Sequence, residues 1–291
     1  MYARAEMSTA ETSHKRPKLG QHFLADKQVA ARIVEALGEV SGKVVVEIGP
    51  GLGVLTGLLA PRVQRLIAIE LDRVLAAQLR MKYTHREHVE IIEADALSVR
   101  FDTILGPRPG ALAGIAHPRF EKVRVIGNLP YYITSELLLH LFAHHQWFDL
   151  MILMVQLEVG ERLAAKPGTR DYGLLSATAQ LYAEVEKLFV VPPGAFSPPP
   201  KVHSALLRLT LRPRWEGLQV DPTAFIEFLK LSFGQKRKTL LNNLKTKYSM
   251  PALRAAFAHA NVPSGLRAEA LPLEKAAAIF RALSENNRVI G

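Results

Sequence analysis

Short apolar segments recur through the first half of the chain, and each is followed by residues with helical spacing. The segments are KVVVEI (43–48), LIAIE (66–70), VEIIEAD (89–95), KVRVIG (122–127) and LMILMVQLEV (150–159). The last of them is long enough to begin as a strand and continue into a helix. Apolar segments of strand length that alternate with helices predict a mainly parallel, doubly wound sheet.

The pattern changes in the second half of the chain. Two longer apolar segments, AQLYAEVEKLFVV (179–191) and SALLRLTLRP (204–213), predict an antiparallel hairpin that closes one edge of the sheet. After Arg214 the spacing is helical only. The predicted helices cover roughly residues 222–233, 236–246, 251–260 and 272–284.

Pro213 and Gly217 place a domain boundary near residues 212–220. We therefore expect an α/β domain at residues 19–214 and a small all-α domain at residues 215–291. Residues 1–18 are polar and basic, and we expect a disordered arm there.

Composition narrows the chemistry. The chain has 291 residues, 48% of them hydrophobic, which is enough for a large core. It has no cysteine, so disulfides, thiolate nucleophiles and cysteine-based zinc sites are excluded. No signal peptide and no apolar stretch of roughly 18 residues is evident, so we expect a cytoplasmic protein without membrane association. The formal net charge of +10 favours a polyanionic partner.

A glycine-rich loop, EIGPGLG (47–53), follows the first strand and opens the next helix. Gly49 and Gly51 would let the backbone turn sharply and approach a ligand closely. The loop lacks the lysine of the phosphate-binding pattern and departs from the dinucleotide fingerprint. Considered alone, the glycines fit an ordinary tight strand–turn–helix connection equally well.

Acidic residues at later strand ends add to this pattern. Glu70 lies about twenty residues beyond the loop, where a carboxylate that binds ribose hydroxyls is expected. Asp95 follows the third strand and could accept a hydrogen bond from an adenine amino group, although helix capping is the alternative. The three elements together fit an adenosyl ligand without a pyrophosphate, such as S-adenosylmethionine.

The fourth strand runs into Asn128, Leu129, Pro130 and Tyr131. Ligands of open parallel sheets bind where the strand order reverses, so this loop would face the glycine loop across a crevice. The Asn128 and Leu129 carbonyls could accept the two hydrogens of an exocyclic adenine amine and turn its lone pair toward a methyl donor. Pro130 favours the extended backbone that presents the second carbonyl. The Tyr131 ring offers a stacking face for the base. A turn with buried tyrosines would leave Asn128 unexplained, and Tyr132 has no assigned role.

NLPY resembles motif IV of amino-directed methyltransferases, in the form found in ribosomal RNA adenine dimethyltransferases. Further segments that resemble this family follow in the family's order over about residues 17–284. They are LGQHFLAD (19–26), VVEIGPGLGVLT (45–56), IAIELD (67–72), EADAL (93–97), FSPPPKVHSALLRL (196–209) and FGQKRKTLLNNL (233–244). The set is most similar to the bacterial small-subunit form, which dimethylates the N6 amino groups of two adjacent adenosines near the 3′ end of 16S rRNA.

The resemblance implies a Rossmann-like S-adenosylmethionine methyltransferase fold, with a mainly parallel seven-stranded sheet and a terminal antiparallel hairpin, followed by a helical RNA-binding domain. It implies S-adenosylmethionine as the cofactor and S-adenosylhomocysteine as its product. Carried over by position, the cofactor contacts are His22, Leu24, Gly49, Gly51, Glu70, Asp95 and Asn128. The residues that would hold the target base or act in catalysis are Asn128, Leu129, Pro130, Tyr131 and Phe196.

Two features depart from the family pattern. The family usually has asparagine where this chain has His22, which puts a cofactor contact through that side chain in question. The connection at residues 101–121 is longer and richer in proline and glycine than usual. A solvent-exposed insertion is the favoured interpretation, and a target-facing loop is the alternative.

Positive charge dominates the predicted helical domain, where no acidic residue lies between Glu227 and Glu269. This distribution is typical of a nucleic-acid binder, and a solvated helix face is the alternative. The residues that we expect to bind RNA are Lys236, Arg237, Lys238, Lys245 and Lys247. The ten histidines show no metal-ligand spacing, so no metal site is predicted.

The leading hypothesis is therefore S-adenosylmethionine-dependent dimethylation of 16S rRNA, within the small ribosomal subunit or its precursor, by a monomer with a role in ribosome biogenesis. One alternative is a large-subunit rRNA adenine methyltransferase of the macrolide-resistance type, and a DNA adenine methyltransferase is another. A mainly non-catalytic assembly factor for the small subunit is a third. The complete NLPY motif argues against loss of catalysis, and the basic helical domain favours the small-subunit enzyme.

Overall fold

A computed structural model describes residues 21–105 and 122–288, with side chains as far as residue 285. The predicted arm at residues 1–18 lies outside the described residues. So does most of the connection at residues 101–121, of which only the short helix Phe101–Leu105 is described.

The described residues form nine strands and twelve α-helices. The strands are β1 (Phe23–Leu24), β2 (Val44–Ile48), β3 (Arg65–Glu70), β4 (Val89–Glu93), β5 (Val123–Asn128), β6 (Phe148–Gln156), β7 (Ala183–Val191), β8 (Phe196–Ser197) and β9 (Ser204–Leu211). The helices are α1 (Lys27–Glu35), α2 (Val54–Leu59), α3 (Arg73–Lys82), α4 (Phe101–Leu105), α5 (Thr134–Ala143), α6 (Leu157–Ala164), α7 (Leu174–Tyr182), α8 (Trp215–Leu218), α9 (Pro222–Ser232), α10 (Leu240–Leu244), α11 (Met250–His259) and α12 (Leu273–Arg288).

Seven strands form one sheet in the order β4-β3-β2-β5-β6-β9-β7. The first five strands in this order are parallel to one another, whereas β9 runs antiparallel to both β6 and β7. The predicted mainly parallel seven-stranded sheet with a terminal antiparallel hairpin is therefore confirmed. The strand order reverses between β2 and β5, which pair directly, and this is the switch point at which a crevice is expected.

Helices cover both faces of the sheet, which is why the central strands are apolar at successive positions. In β2, Val45 packs with α1, α2 and α3 on one face. Its neighbour Val46 packs on the opposite face with α5, α6 and α7. Both valines are fully buried. Alternation of side chains across the strand thus divides the apolar segment between two cores.

The helical C-terminal region, predicted from residue 215 onward, is confirmed as helical. Its residues and those of the sheet belong to one continuous core that extends from Val46 to Leu283. The hydrophobic core therefore continues across the boundary that the sequence predicts between the two domains. No helix in ranges 21–105 and 122–288 is long and apolar enough to cross a membrane.

Two predicted elements are partly wrong. Residues 179–182 belong to α7 rather than to the following strand. Most side chains of α7 are buried, so the helix lacks the polar face that makes a helical period visible in sequence. The helix predicted at residues 236–246 begins only at Leu240, because Thr239 caps it and a turn precedes it.

Gly127 in β5 provides a test of how closely β2 and β5 must approach. A Cβ at this position would lie 2.7 Å from the Ile48 carbonyl oxygen and 3.2 Å from the Ile48 Cβ. Since backbone in a paired strand cannot shift freely, we expect Gly127→Ala to lower the free energy of unfolding by about 2–3 kcal/mol. Urea denaturation measures this change. Gly194→Ala, where nothing lies within 4 Å, is the matched control. Equal losses in the two variants would contradict the explanation.

Candidate active site

A cavity of about 1080 Å³, including its open mouth, lies beyond the carboxyl ends of β2, β3, β4 and β5. The sequence-predicted residues that line it are His22, Leu24, Gly49, Gly51, Glu70, Asp95, Asn128, Leu129, Pro130 and Tyr131. The structure thus brings together the complete predicted cofactor set and all but one of the residues predicted to hold the base.

The exception is Phe196. Its side chain is 4% exposed and packs in the core on the α1 side of the sheet, and it does not line the cavity. The physical reason is that β1 pairs with β8, with Leu24 opposite Phe196, and covers this part of the chain. The expectation that the Phe196 ring closes the second face of the base is not supported by this placement.

Glu70 ties the glycine loop to the end of β3. Its carboxylate accepts a hydrogen bond from the Gly51 backbone N–H at 2.9 Å and another from the Asp72 N–H at 2.9 Å. Gly51 has a φ of 56°, and a Cβ there would lie 2.9 Å from the Phe23 ring. Each carboxylate oxygen can accept a further hydrogen bond, so Glu70 can position the loop and still bind a ligand hydroxyl.

Asp95 stabilises a turn and does not cap a helix, since the next helix begins only at Phe101. Its Oδ1 accepts a hydrogen bond from the Leu97 N–H at 2.9 Å, which stabilises the turn after β4. Within the described residues no hydrogen bond to Oδ2 occurs, and the side chain lines the cavity. A ligand amino group can therefore donate to Asp95 without disrupting the turn.

Asn128 is held in one orientation by the backbone of His22. The Asn128 Nδ2 donates to the His22 carbonyl oxygen at 3.1 Å. The Asn128 Oδ1 is buried and has no hydrogen-bond partner among the described residues. Burying an acceptor without a partner costs roughly 1–3 kcal/mol, so such a group in a cavity is a strong candidate for ligand binding.

His22 contributes through its backbone as well as its ring. The His22 Nδ1–H donates to the Pro198 carbonyl oxygen at 2.8 Å, and the His22 ring lies 5.9 Å from the Tyr131 ring. The side chain that replaces the usual asparagine is thus engaged with the loop before β9. The contact with Asn128 needs only the His22 backbone carbonyl.

Tyr131 is anchored by a residue that sequence reasoning missed. Its hydroxyl is 2.7 Å from the Oγ of Ser204, a fully buried residue at the start of β9. Burial raises the pKa of Tyr131, although the bond to Ser204 opposes that shift, so the phenol is neutral near pH 7. Ser204 belongs to the FSPPPKVHSALLRL segment, but only the β9–β6 pairing shows that it reaches Tyr131.

Glu47 is a second residue that sequence reasoning missed. Its side chain is 1% exposed and lines the cavity, and neither of its carboxylate oxygens has a hydrogen-bond partner in the described chain. Burial raises the pKa of Glu47 to about 7; the charge of Glu70 adds to this shift, and nearby Thr56 opposes it. The signal in the sequence was an acidic residue inside an otherwise apolar strand.

The basic residues that are predicted to bind RNA lie outside the cavity lining. Lys236, Arg237, Lys238, Lys245 and Lys247 are all exposed. The buried side chain of Asn243 donates to the carbonyls of Ser232 at 2.7 Å and Gln235 at 3.2 Å, which supports the turn that presents residues 236–238. The Lys236 Nζ donates to the Arg170 carbonyl at 3.1 Å and links this turn to the α6–α7 connection.

Histidines in α5 and directly after it pack against aromatic rings. His140 lies 5.7 Å from the Phe101 ring, and neighbouring His145 lies 4.8 Å from the Trp215 ring. In ranges 21–105 and 122–288, no three histidine or acidic residues are grouped in a way that could hold a metal ion.

Glu47 makes the stability of the protein depend on pH. Its pKa is about 7 in the folded chain against 4.5 ordinarily, so its favourable neutral form is lost as pH rises through this window. We therefore compare the free energy of unfolding of Glu47→Gln with that of the native chain. As the pH rises from 5 to 8, we expect this difference to shift by about 2–3 kcal/mol in favour of the variant. Denaturant unfolding of the ligand-free protein at the two pH values measures this. Glu35→Gln, on the exposed surface of α1, should not reproduce the gain, and a pH-independent effect of Glu47→Gln would contradict the explanation.

Comparisons with known proteins agree with the fold and identify the family. The ribosomal RNA adenine dimethylase family matches residues 12–285. The chain is 56% identical over 269 residues to the ribosomal RNA small subunit methyltransferase A of Koribacter versatilis, covering 92% of this chain and 94% of that protein.

Solved structures extend the comparison to three dimensions. The 23S rRNA methyltransferase ErmE is 28% identical, with a TM-score of 0.65, and the match covers 90% of this chain and 99% of that one. A dimethyladenosine transferase from Plasmodium falciparum has the same fold, with 24% identity, a TM-score of 0.73 and coverage of 91% and 98%. The resemblance inferred from NLPY and its companion segments is confirmed, and the chain belongs to the ribosomal RNA adenine dimethylase family.

Proposed function

We propose that this protein dimethylates the N6 amino groups of two adjacent adenosines near the 3′ end of 16S rRNA, with S-adenosylmethionine as methyl donor. The observation that supports this most directly is the Asn128 Oδ1, which is buried without a hydrogen-bond partner in the described residues, in a side chain that belongs to the cavity lining. An adenine amine supplies the donor that this acceptor needs.

The residues around the cavity fit an adenosyl cofactor. Glu70 would accept hydrogen bonds from the ribose hydroxyls, and the Asp95 Oδ2 would accept one from the adenine amine. Gly49 and Gly51, whose φ angles are positive, keep the loop backbone close to the ligand. When bound, S-adenosylmethionine supplies an electrophilic methyl group. The role of the chain is to hold that group opposite the target amine.

The target base would be bound on the Asn128 side of the cavity. The Asn128 Oδ1 and the Leu129 carbonyl would accept the two amine hydrogens, which favours a pyramidal nitrogen with its lone pair directed at the methyl group. The Leu129 N–H donates to the Met154 carbonyl at 3.0 Å, so pairing with β6 fixes this segment. Tyr131, held by Ser204, would stack on the base. Catalysis then depends on positioning and electrostatics, and no strong base is required.

The small-subunit substrate is favoured over the alternatives. The relative that is 56% identical is named for the small subunit, whereas the large-subunit methyltransferase is only 28% identical. As a member of this family the chain acts on ribosomal RNA. A cytoplasmic location and a monomeric state remain predictions, as does an additional role in small-subunit assembly.

A transfer assay tests this proposal. The protein is incubated with methyl-labelled S-adenosylmethionine and unmethylated small subunits, large-subunit RNA or duplex DNA, and the products are digested to nucleosides. Label in N6,N6-dimethyladenosine from small subunits is the expected result. Label only in DNA or large-subunit RNA would refute the substrate. Binding to small subunits without transfer would leave assembly as the function.

Asn128→Ala should separate chemistry from RNA binding. We expect a loss of roughly 10²–10³-fold in kcat, because one of the two acceptors that orient the amine is removed. The affinity for small subunits should change less than threefold, since Asn128 contacts no phosphate in this proposal. Single-turnover transfer and filter binding measure the two effects. A variant that transfers methyl groups at the native rate would exclude the assigned role.

The exposed basic turn should govern the salt dependence of RNA binding. We expect the triple variant Lys236→Gln, Arg237→Gln, Lys238→Gln to bind small subunits more weakly, with the salt slope reduced by about 2. Binding titrations at several salt concentrations give this slope. The control is Lys27→Gln, Arg62→Gln, Arg86→Gln, which removes the same charge from exposed positions around the sheet. If both triples change the slope equally, binding depends on net charge and not on the turn.

A further inference from the structure

Tyr132 is the one residue of the NLPYY segment without a role in the proposed reaction. Its side chain lines the cavity and is 59% exposed. It lies in the turn that precedes α5, immediately after the tyrosine that is assigned to the target base. A large aromatic ring exposed at the mouth of a binding cavity is a candidate ligand contact.

The two adjacent tyrosines have different surroundings. The Tyr131 hydroxyl is bonded to Ser204 at the start of β9, on the β6 side of β5. Tyr132 instead lies close enough to Asp95 and Glu70 for their charges to raise its pKa, after the larger effect of burial. Asp95 follows β4 and Glu70 ends β3, so both lie on the β2 side of β5. Tyr132 therefore borders the same cavity as Asp95 and Glu70, within reach of their charges.

Two further apolar side chains are exposed around the same cavity. Leu52, in the glycine loop, is 55% exposed and Leu71, after β3, is 42% exposed. Together with Tyr132 they give the cavity an apolar rim near Glu70. Exposed apolar groups that surround a cavity are stabilised when a ligand with flat apolar faces covers them. The adenine of an adenosyl ligand has such faces.

We propose that Tyr132 binds the cofactor by covering its adenosyl group at the mouth of the cavity. This inference rests on the proposed function, which places the ribose at Glu70 and the adenine at Asp95. One short segment then serves both ligands: Tyr131 holds the base that receives the methyl group, and Tyr132 retains the molecule that donates it. The contact comes from the ring face, so the Tyr132 hydroxyl is not required.

Isothermal titration of S-adenosylhomocysteine into the full-length protein tests this role without any turnover. We expect Tyr132→Ala to weaken binding roughly tenfold, a loss typical of removing one aromatic stacking partner. Tyr132→Phe should bind within twofold of the native protein because it keeps the ring. The control is Leu139→Ala on α5, which removes a side chain that is 47% exposed and does not line the cavity. Thermal denaturation of each variant without ligand checks that the fold is retained.

The possible results separate this inference from the proposed function. If the native protein does not bind S-adenosylhomocysteine, the proposed cofactor is wrong and the inference falls with it. If the native protein binds and Tyr132→Ala binds equally well, only the role of Tyr132 is refuted. If Tyr132→Ala weakens binding to unmethylated small subunits but not to S-adenosylhomocysteine, Tyr132 contacts the RNA, and the inference is again overturned.

Discussion

The pairing of β2 with β5 is the constraint on which the candidate site depends. It places the glycine loop and the Asn128 segment, far apart in the chain, on opposite sides of one crevice. The approach is close at Gly127, where a Cβ would lie 2.7 Å from the Ile48 oxygen, and at Gly49 the φ of 67° is one that residues with a side chain rarely adopt. Small residues at both positions therefore permit the geometry that the proposed methyl transfer requires.

Polar groups at the cavity are stabilised unequally. Glu70 accepts two backbone hydrogen bonds, and Asn128 donates one to the His22 carbonyl. In contrast, the Asn128 Oδ1 and both oxygens of Glu47 are buried without partners among the described residues. Burying such groups lowers stability, and their position at the cavity agrees with the proposed function of this site.

The second half of the chain supports this site from two directions. The antiparallel hairpin delivers Ser204 to the Tyr131 hydroxyl, so the strands added at the sheet edge orient a residue at its switch point. The helical region shares a continuous core with the sheet. The contact between Lys236 and the Arg170 carbonyl further links the basic turn to the α6–α7 connection. RNA bound by this turn would thus be positioned relative to the cavity by packed structure and not by a flexible linker.

The sequence by itself determined the alternation of strands and helices, the parallel sheet with its hairpin, and a set of cofactor and base residues that all line the cavity except Phe196. These follow from local patterns and from motif residues at strand ends, since parallel strands bring their carboxyl ends to one edge. Only the tertiary structure decided that Phe196 is buried in the strand paired with β1, that Ser204 bonds to the Tyr131 hydroxyl, and that Tyr132 is exposed at the cavity. It also showed α7 to be a helix, because burial on most sides removes the polar period. Contacts of this kind join residues that are distant in the chain. They depend on the packing of many side chains at once, which local sequence patterns do not record.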